Sequence, residues 1–256
     1  MKKIYSIICF LFILYLPVNA QSVDQIISKY VKARGGYQKL FSVHSQRLTG
    51  TILFSPNEAG PFSITMERPF KMREEMIIQG KKIIRVLNGN SGWIVNPFSG
   101  KNETQALPVS IVENMRGASD IDGPLVDYQT KGNIVRLIGK DTVNGKIAYK
   151  LRVIQGKNII SYIYIDRASG LEVKWEGEIG DKGKKHMMQS IFSNYRKVDG
   201  VMYACKIVSS TPGTNAQQII IIKKVEVNPK LNEKIFSKPE LEEKPTPKKI
   251  NSTKQK

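Results

Sequence analysis

From His44 onward the chain alternates apolar and polar residues with a period of two and keeps that period for most of its length. A strand sends successive side chains to opposite faces, so this alternation predicts half-buried β-structure. The clearest stretch is L-E-V-K-W-E, where Leu171, Val173 and Trp175 are expected on one face and Glu172, Lys174 and Glu176 on the other. Similar stretches run through 46–54, 61–68, 71–79, 81–88, 91–96, 133–140, 146–155, 158–166, 186–197, 201–210 and 216–227. Turn signals such as Asn88-Gly89, Asn144-Gly145, Ser169-Gly170 and Asp199-Gly200 separate them. About eleven strands with no alternating helices predict a meandering antiparallel sheet in a mainly β chain with a few helices (α+β). A twisted sheet of that width curls or splits, which leaves a barrel, a half-barrel or a sandwich.

Two segments depart from the period. Val23, Ile26, Ile27, Tyr30 and Val31 follow helical spacing and stop at Gly35-Gly36, a C-cap signal. Between Leu107 and Tyr128, Pro108 suits a first helical turn, and Ile111, Val112 and Met115 make a short apolar face before Gly117. A short helix and loop is therefore expected in the middle of the sheet.

The ends read differently. Lys2 and Lys3, an apolar run from Ile4 to Leu16 and the small-residue site Val18-Asn19-Ala20 have the three parts of a secretory leader, so residues 1–20 are expected to be removed. The run is too short for a spanning helix, which needs roughly 20 apolar residues. Residues 21–237 then form the folded domain, and the lysine-, proline- and glutamate-rich stretch 238–256 is expected to be a disordered basic tail. Cleavage would remove Cys9 and leave Cys205 alone, so no intramolecular disulfide is expected and stability must come from a core.

Lys and Arg number 40 against 22 Asp and Glu, a formal charge of +18. In an exported protein this excess points to anionic lipid surfaces rather than nucleic acid, or simply to a solvated, edge-protected sheet. The only histidines, His44 and His186, stand in no serine-elbow, zinc or phosphate-loop pattern. Asp120, Asp122 and Asp127 begin like a calcium loop but lack its later ligands, so a structural turn is expected. Cys205 reads as a small buried hydrophobe, and Tyr162 with Tyr164 as a packing pair. No catalytic residue, metal or cofactor is expected.

Phe62, Ile64, Met66 and Arg68 share one strand face, which places a permanent cation on an apolar row. A guanidinium with five donors cannot be left there without acceptors. Met66, Met72 and Met76, with Ile64, Ile78 and Trp93, supply either a plain core or a soft surface able to take varied apolar ligands.

R-P-F-K-M-R-E-E-M, followed by N-G-N-S-G-W-I-V-N-P-F-S-G, resembles the lipoprotein carriers of the LolA type, which have an Arg-Pro strand end before a hairpin closing in W-x-x-N-P-F. I-S-K-Y-V-K-A-R-G-G-Y-Q-K-L, D-I-D-G-P-L-V-D-Y, Y-I-D-x-x-S-G-L and V-E-V-N-P-K-L-N-E-K-I-F resemble the broader LolA-like outer-membrane lipoprotein-sorting family, from Val23 to Phe236. The resemblance implies a curved antiparallel half-barrel whose concave apolar face is covered by helices and shelters acyl chains. It implies a cavity lined by Ile64, Met66, Met72, Met76, Ile78, Trp93 and Phe98, and a lid carrying Ile111, Val112, Met115, Leu125 and Val126. Arg68 would latch that lid by bonding its carbonyls. It further implies a periplasmic monomer that carries acylated lipoproteins or lipids between inner- and outer-membrane handover proteins. The Gly-Gly, the long insertion and the basic tail depart from the carrier, and a non-carrier sensory or scaffolding module is the alternative.

Overall fold

The computed structural model describes residues 21–55, 58–101, 103–156, 159–179, 186–215 and 217–240. The predicted leader and the tail beyond Glu240 lie outside the described residues. Helix α1 (Val23–Arg34) opens the fold, followed by α2 (Tyr37–Phe41) and strands β1 (Ser45–Ser55), β2 (Glu58–Glu67), β3 (Lys71–Ile78), β4 (Lys81–Asn88), β5 (Ser91–Val95) and β6 (Gln105–Ala106). Helix α3 (Val109–Ala118) precedes β7 (Ile134–Val143), β8 (Lys146–Gln155), β9 (Ile159–Asp166), β10 (Glu172–Ile179), β11 (His186–Val198), β12 (Val201–Ser210) and β13 (Gln217–Val227), and a 3₁₀ turn spans Glu233–Phe236. Twelve strands lie where the alternation predicts them; β6, two residues long, is below what a periodic signal can show. The single-turn α2 is likewise too short to carry a period of its own.

Local chemistry explains the joints. Ser22 caps α1 by accepting from the Gln25 N–H, while the Gln25 side chain accepts from the Ser22 N–H, a reciprocal capping box. Gly35, at φ +128°, ends that helix, and a Cβ there would sit 2.3 Å from the Gly200 carbonyl oxygen. The chain returning at the β11–β12 hairpin passes too close for any side chain.

All strands pair antiparallel in one open, curved sheet, in the order β6-β5-β4-β3-β2-β1-β13-β12-β11-β10-β9-β8-β7. The first and last strands meet at its middle, where Gln46 stands opposite Val227 and Ile52 opposite Ile220. The consecutive strands β6 and β7 are at opposite edges. Residues 107–133 must therefore cross the sheet from one rim to the other, and the inserted helix and loop is that crossing.

The crossing covers the inner face. There Met66, Met72 and Leu87 pack against Val112 and Met115 of α3. Leu125 and Val126 join Ile26, Ile27, Tyr30 and Val31 of α1 over Tyr149, Leu151, Val153, Ile163 and Ile165. Ile121 touches both clusters. The outer face is covered in part by the segment after β13: Phe236 is fully buried against Ile84, Val86, Trp93 and Val95. Arg73 donates to the Ile235 carbonyl at 2.9 Å and Thr104 to the Pro239 carbonyl at 2.6 Å, so residues 238–240 of the expected tail lie against the β5–β6 connection.

One period-two reading fails. Glu172 pairs with Ile165 and Lys174 with Tyr164, which leaves Val173 as the extra residue of a β-bulge. Val173 packs on the outer face with Tyr162, Tyr164 and Ile191, whereas Trp175 packs in the inner core. Glu172 is thereby turned to the inner side, opposite its expected direction.

Candidate functional site: an apolar inner face under a fastened lid

Register decides which residues share the inner face. Phe62, Ile64 and Met66 stand opposite Met76, Glu74 and Met72, and Met72 and Met76 stand opposite Leu87 and Ile83. Met66, Met72, Met76, Ile64 and Ile78 are thus on the inner face. Trp93 is not: it pairs with Val86 and packs outside against Phe236. Phe98 lies 45% exposed in the β5–β6 connection beneath the Lys81 ammonium, 5.0 Å from its ring centre. Neither aromatic lines the inner face.

Of the lid residues, Val112 and Met115 are buried on β2–β4 with Ile111 beside them. Leu125 and Val126 are fully buried beneath α1 instead. Gly92 lets α3 come close, since a Cβ there would meet Val112 Cγ2 at 3.0 Å and Leu107 Cδ1 at 3.1 Å.

Arg68, Arg34 and Arg116 tie this cover to the rest of the fold, and Lys131 braces it from within. Arg68 Nη2 donates to Asp122 Oδ1 at 2.6 Å, and its Nε and Nη2 donate to the carbonyls of Val43 (2.8 Å) and Leu40 (3.4 Å). The expected acceptors are carbonyls of the inserted segment; in the structure that segment supplies the Asp122 carboxylate, and the carbonyls come from the end of α2 and the turn after it. The Asp122 side chain is 2% exposed and is paired with Arg68 and, at 3.9 Å, with Lys131. Lys131 holds Asp120 at 2.6 Å and donates to the Gly123 carbonyl, and Arg34 donates to the Asp122 carbonyl and the Tyr30 hydroxyl. Burial raises the Asp120 carboxyl above the usual range, with Lys131 opposing. Arg116, at the end of α3, donates to the Gly89 carbonyl and Asn90 Oδ1, both at 2.9 Å, and lies 4.0 Å from the centre of the Phe70 ring. No periodic pattern marks Arg116, whose acceptors lie on the turn between β4 and β5, or Lys131, whose acceptors lie earlier in its own segment. The acids expected to form a turn do so, with Asp120 and Asp122 committed to these cations.

Among the described residues, no helix packs on part of the inner face. Ile52, Phe62 and Met76 form an apolar cluster whose other members, Phe54, Ile64, Ile78, Ile83 and Ile220, all come from strands. Phe54, Ile78, Ile83 and Ile220 are only partly buried. Ile64 joins this stretch to the cluster beneath α3, and the rest of its row on the inner face is the Glu74–Arg85 ion pair at 2.6 Å.

A buried polar group flanks the other end of the lid. Burial pushes the Glu172 carboxyl up to about 7 against the pull of Arg34, and burial raises the Tyr30 phenol. The Tyr195 hydroxyl donates to the Glu172 carbonyl at 2.7 Å. His44 and His186 are both exposed, at strand ends away from this group.

No protein-family model and no curated protein matches the chain. Among solved structures it is similar to a DUF1329 family protein from Desulfovibrio piger (TM-score 0.57, 12% identity, 84% of this chain and 97% of that one). It is similar also to a LolA superfamily protein from Nitrosomonas europaea (0.54, 12%, 86% and 99%) and to a putative outer membrane lipoprotein-sorting protein domain from Vibrio parahaemolyticus (0.54, 12%, 85% and 98%).

Proposed function

Taking as premise that this chain has the fold of the LolA superfamily, we propose that it is a non-enzymatic periplasmic carrier that shelters the acyl chains of lipoproteins or lipids on its inner face. The observation that carries the reading is the mismatch between surface and fastening. Apolar strand residues extend on the inner face beyond what α3 covers, while the crossing segment is held to the rest of the fold by Arg68, Arg34 and Arg116. A segment that served only to complete a core would need no such charged ties.

Magnitudes favour entry of a chain. Each charge-assisted bond is worth about 1.5–3 kcal/mol, so freeing one end of the lid costs a few kcal/mol. Burying ten methylenes returns about 8 kcal/mol. The sorting function named for the Vibrio domain supports the same reading, with membrane proteins on either side as donors and acceptors of the cargo and a monomer as the working form.

Protein purified from its native envelope tests this. Mass spectrometry of organic extracts is expected to find lipid or acylated peptide in about one-to-one ratio. Persistent absence of both, from protein that retains its fold, would sink the carrier and leave a module that binds proteins through the same sheet.

A further inference from the structure

The edge strand β7 carries an arrangement that the lid and inner face do not use. Register places Ile134 opposite Ile154 and Ile154 opposite Ile160 on the outer face. The next row is Arg136, Arg152 and Tyr162. Ile134, two residues before Arg136, and Ile138, the extra residue of a bulge between Leu137 and Gly139, are 51% and 53% exposed, and Ile160 is 38% exposed. Among the described residues, neither Arg136 nor Arg152 has a carboxylate within ion-pairing distance or a hydrogen-bond acceptor. Glu176, beyond Tyr162 in the same row, is already committed to Lys174 and the Tyr164 hydroxyl. Two like charges directly opposed across a ladder destabilise it. Here they stand unneutralised inside an exposed isoleucine cluster.

The backbone of β7 is open as well. Among the described residues no backbone hydrogen bond reaches it from any element other than β8. An edge of this length, with exposed β-branched residues, is a template for strand addition.

We propose that β7 is the docking edge for an acidic, apolar extended segment of another protein, which adds as a further strand with a carboxylate over Arg136 and Arg152 and apolar side chains against Ile134 and Ile138. A second copy of this chain fits poorly. Its own β7 would bring Arg136 and Lys140 against one acid, Asp141, whose Oδ1 already accepts the Thr142 N–H. A lipid surface would neutralise the arginines but leave the strand's N–H and C=O groups without partners.

The probe is a fluorescein-labelled peptide, acetyl-Thr-Ile-Thr-Glu-Thr-Ile-Thr-amide, which reads the same in either strand direction, with lysine in place of glutamate as its control. Anisotropy with the full chain is expected to show saturable binding of the acidic peptide, weakened at least about tenfold by the control change. The double variant Arg136→Gln/Arg152→Gln is expected to weaken it as much while melting no lower than the parent, because it removes a repulsion. Amide exchange within 134–142 should slow on binding. Equal binding of the two peptides, insensitivity to the arginines, or protection elsewhere in the chain would overturn the assignment. So would dimerisation lost in the same variant, which assigns the edge to a second copy, or arginine-dependent capture of phosphatidylglycerol vesicles without peptide binding, which assigns it to lipid.

Discussion

Arg68 joins three segments that lie far apart in sequence: the strand that carries it, the end of α2 with the turn after it, and the loop holding Asp122. Removing its charge leaves a carboxylate that is 2% exposed with Lys131, 3.9 Å away, as its remaining ion-pair partner among the described residues, a change worth about 3 kcal/mol. Arg68→Leu is therefore expected to lower the melting temperature, speed amide exchange across 119–128 and raise binding of a hydrophobic dye; unchanged exchange in that loop would show that Asp122 is held by other groups. Glu172 makes a second residue-level prediction. Its folded pKa, about 7, lies above the ordinary 4.5, so between those values the folded chain holds a proton that the unfolded chain has released. Stability is then undiminished below the lower value, falls as pH rises through the interval, and is flat above it. Glu172→Gln should stabilise the protein by roughly 1–3 kcal/mol at about pH 8 and by little at about pH 4.5. Melting curves at the two pH values check this, and an equal gain at both would refute the burial of that carboxyl.

Helix α3 is placed by one missing side chain. With no Cβ on Gly92, Val112 and Leu107 settle against β5, and Arg116 then reaches the Gly89 carbonyl at the other end of the helix. Both close contacts would be with side-chain ends, so a larger residue shifts the helix rather than breaking the sheet. Gly92→Val is expected to cost about 1–3 kcal/mol through overpacking and to speed exchange in 109–118 selectively. Exchange that rises equally in β3 and β4 would mean that helix and sheet open as one unit. The 3₁₀ turn is a second such element on the opposite face, where Phe236 fills the space between Val86 and Trp93. This explains why the outer sides of β4 and β5 are apolar.

The whole molecule closes through its centre. β1 and β13 pair side by side although nearly the full described chain separates them, so the sheet has two halves that only this seam joins. A strand lost from an edge trims a sheet, but a strand lost from the middle splits it. Truncation after Asn215, which removes β13, is expected to abolish cooperative unfolding, read by denaturant titration with far-UV detection. A retained single transition would show that one half folds alone. The same topology makes the lid obligatory, because a chain whose sixth and seventh strands are opposite rims must cross the face between them.

The alternation of side chains by itself determined twelve strands, the first helix and the crossing helix, because a period of two or 3.6 is set by local backbone geometry. It also put Arg68 among apolar neighbours and so required acceptors for it. Tertiary structure alone decided which faces look inward. Alternation misplaces Trp93 because β5 is apolar on both faces, and the element that covers its outer side, Phe236, arrives from the far end of the chain. It misplaces Val173 because a single extra residue in a ladder reverses the alternation before it, and the bulge exists only relative to β9. Asp122 and Arg116 came into the site by the same route: a charged side chain needs only a partner brought to it by packing, and short-range periodicity carries no record of that distance.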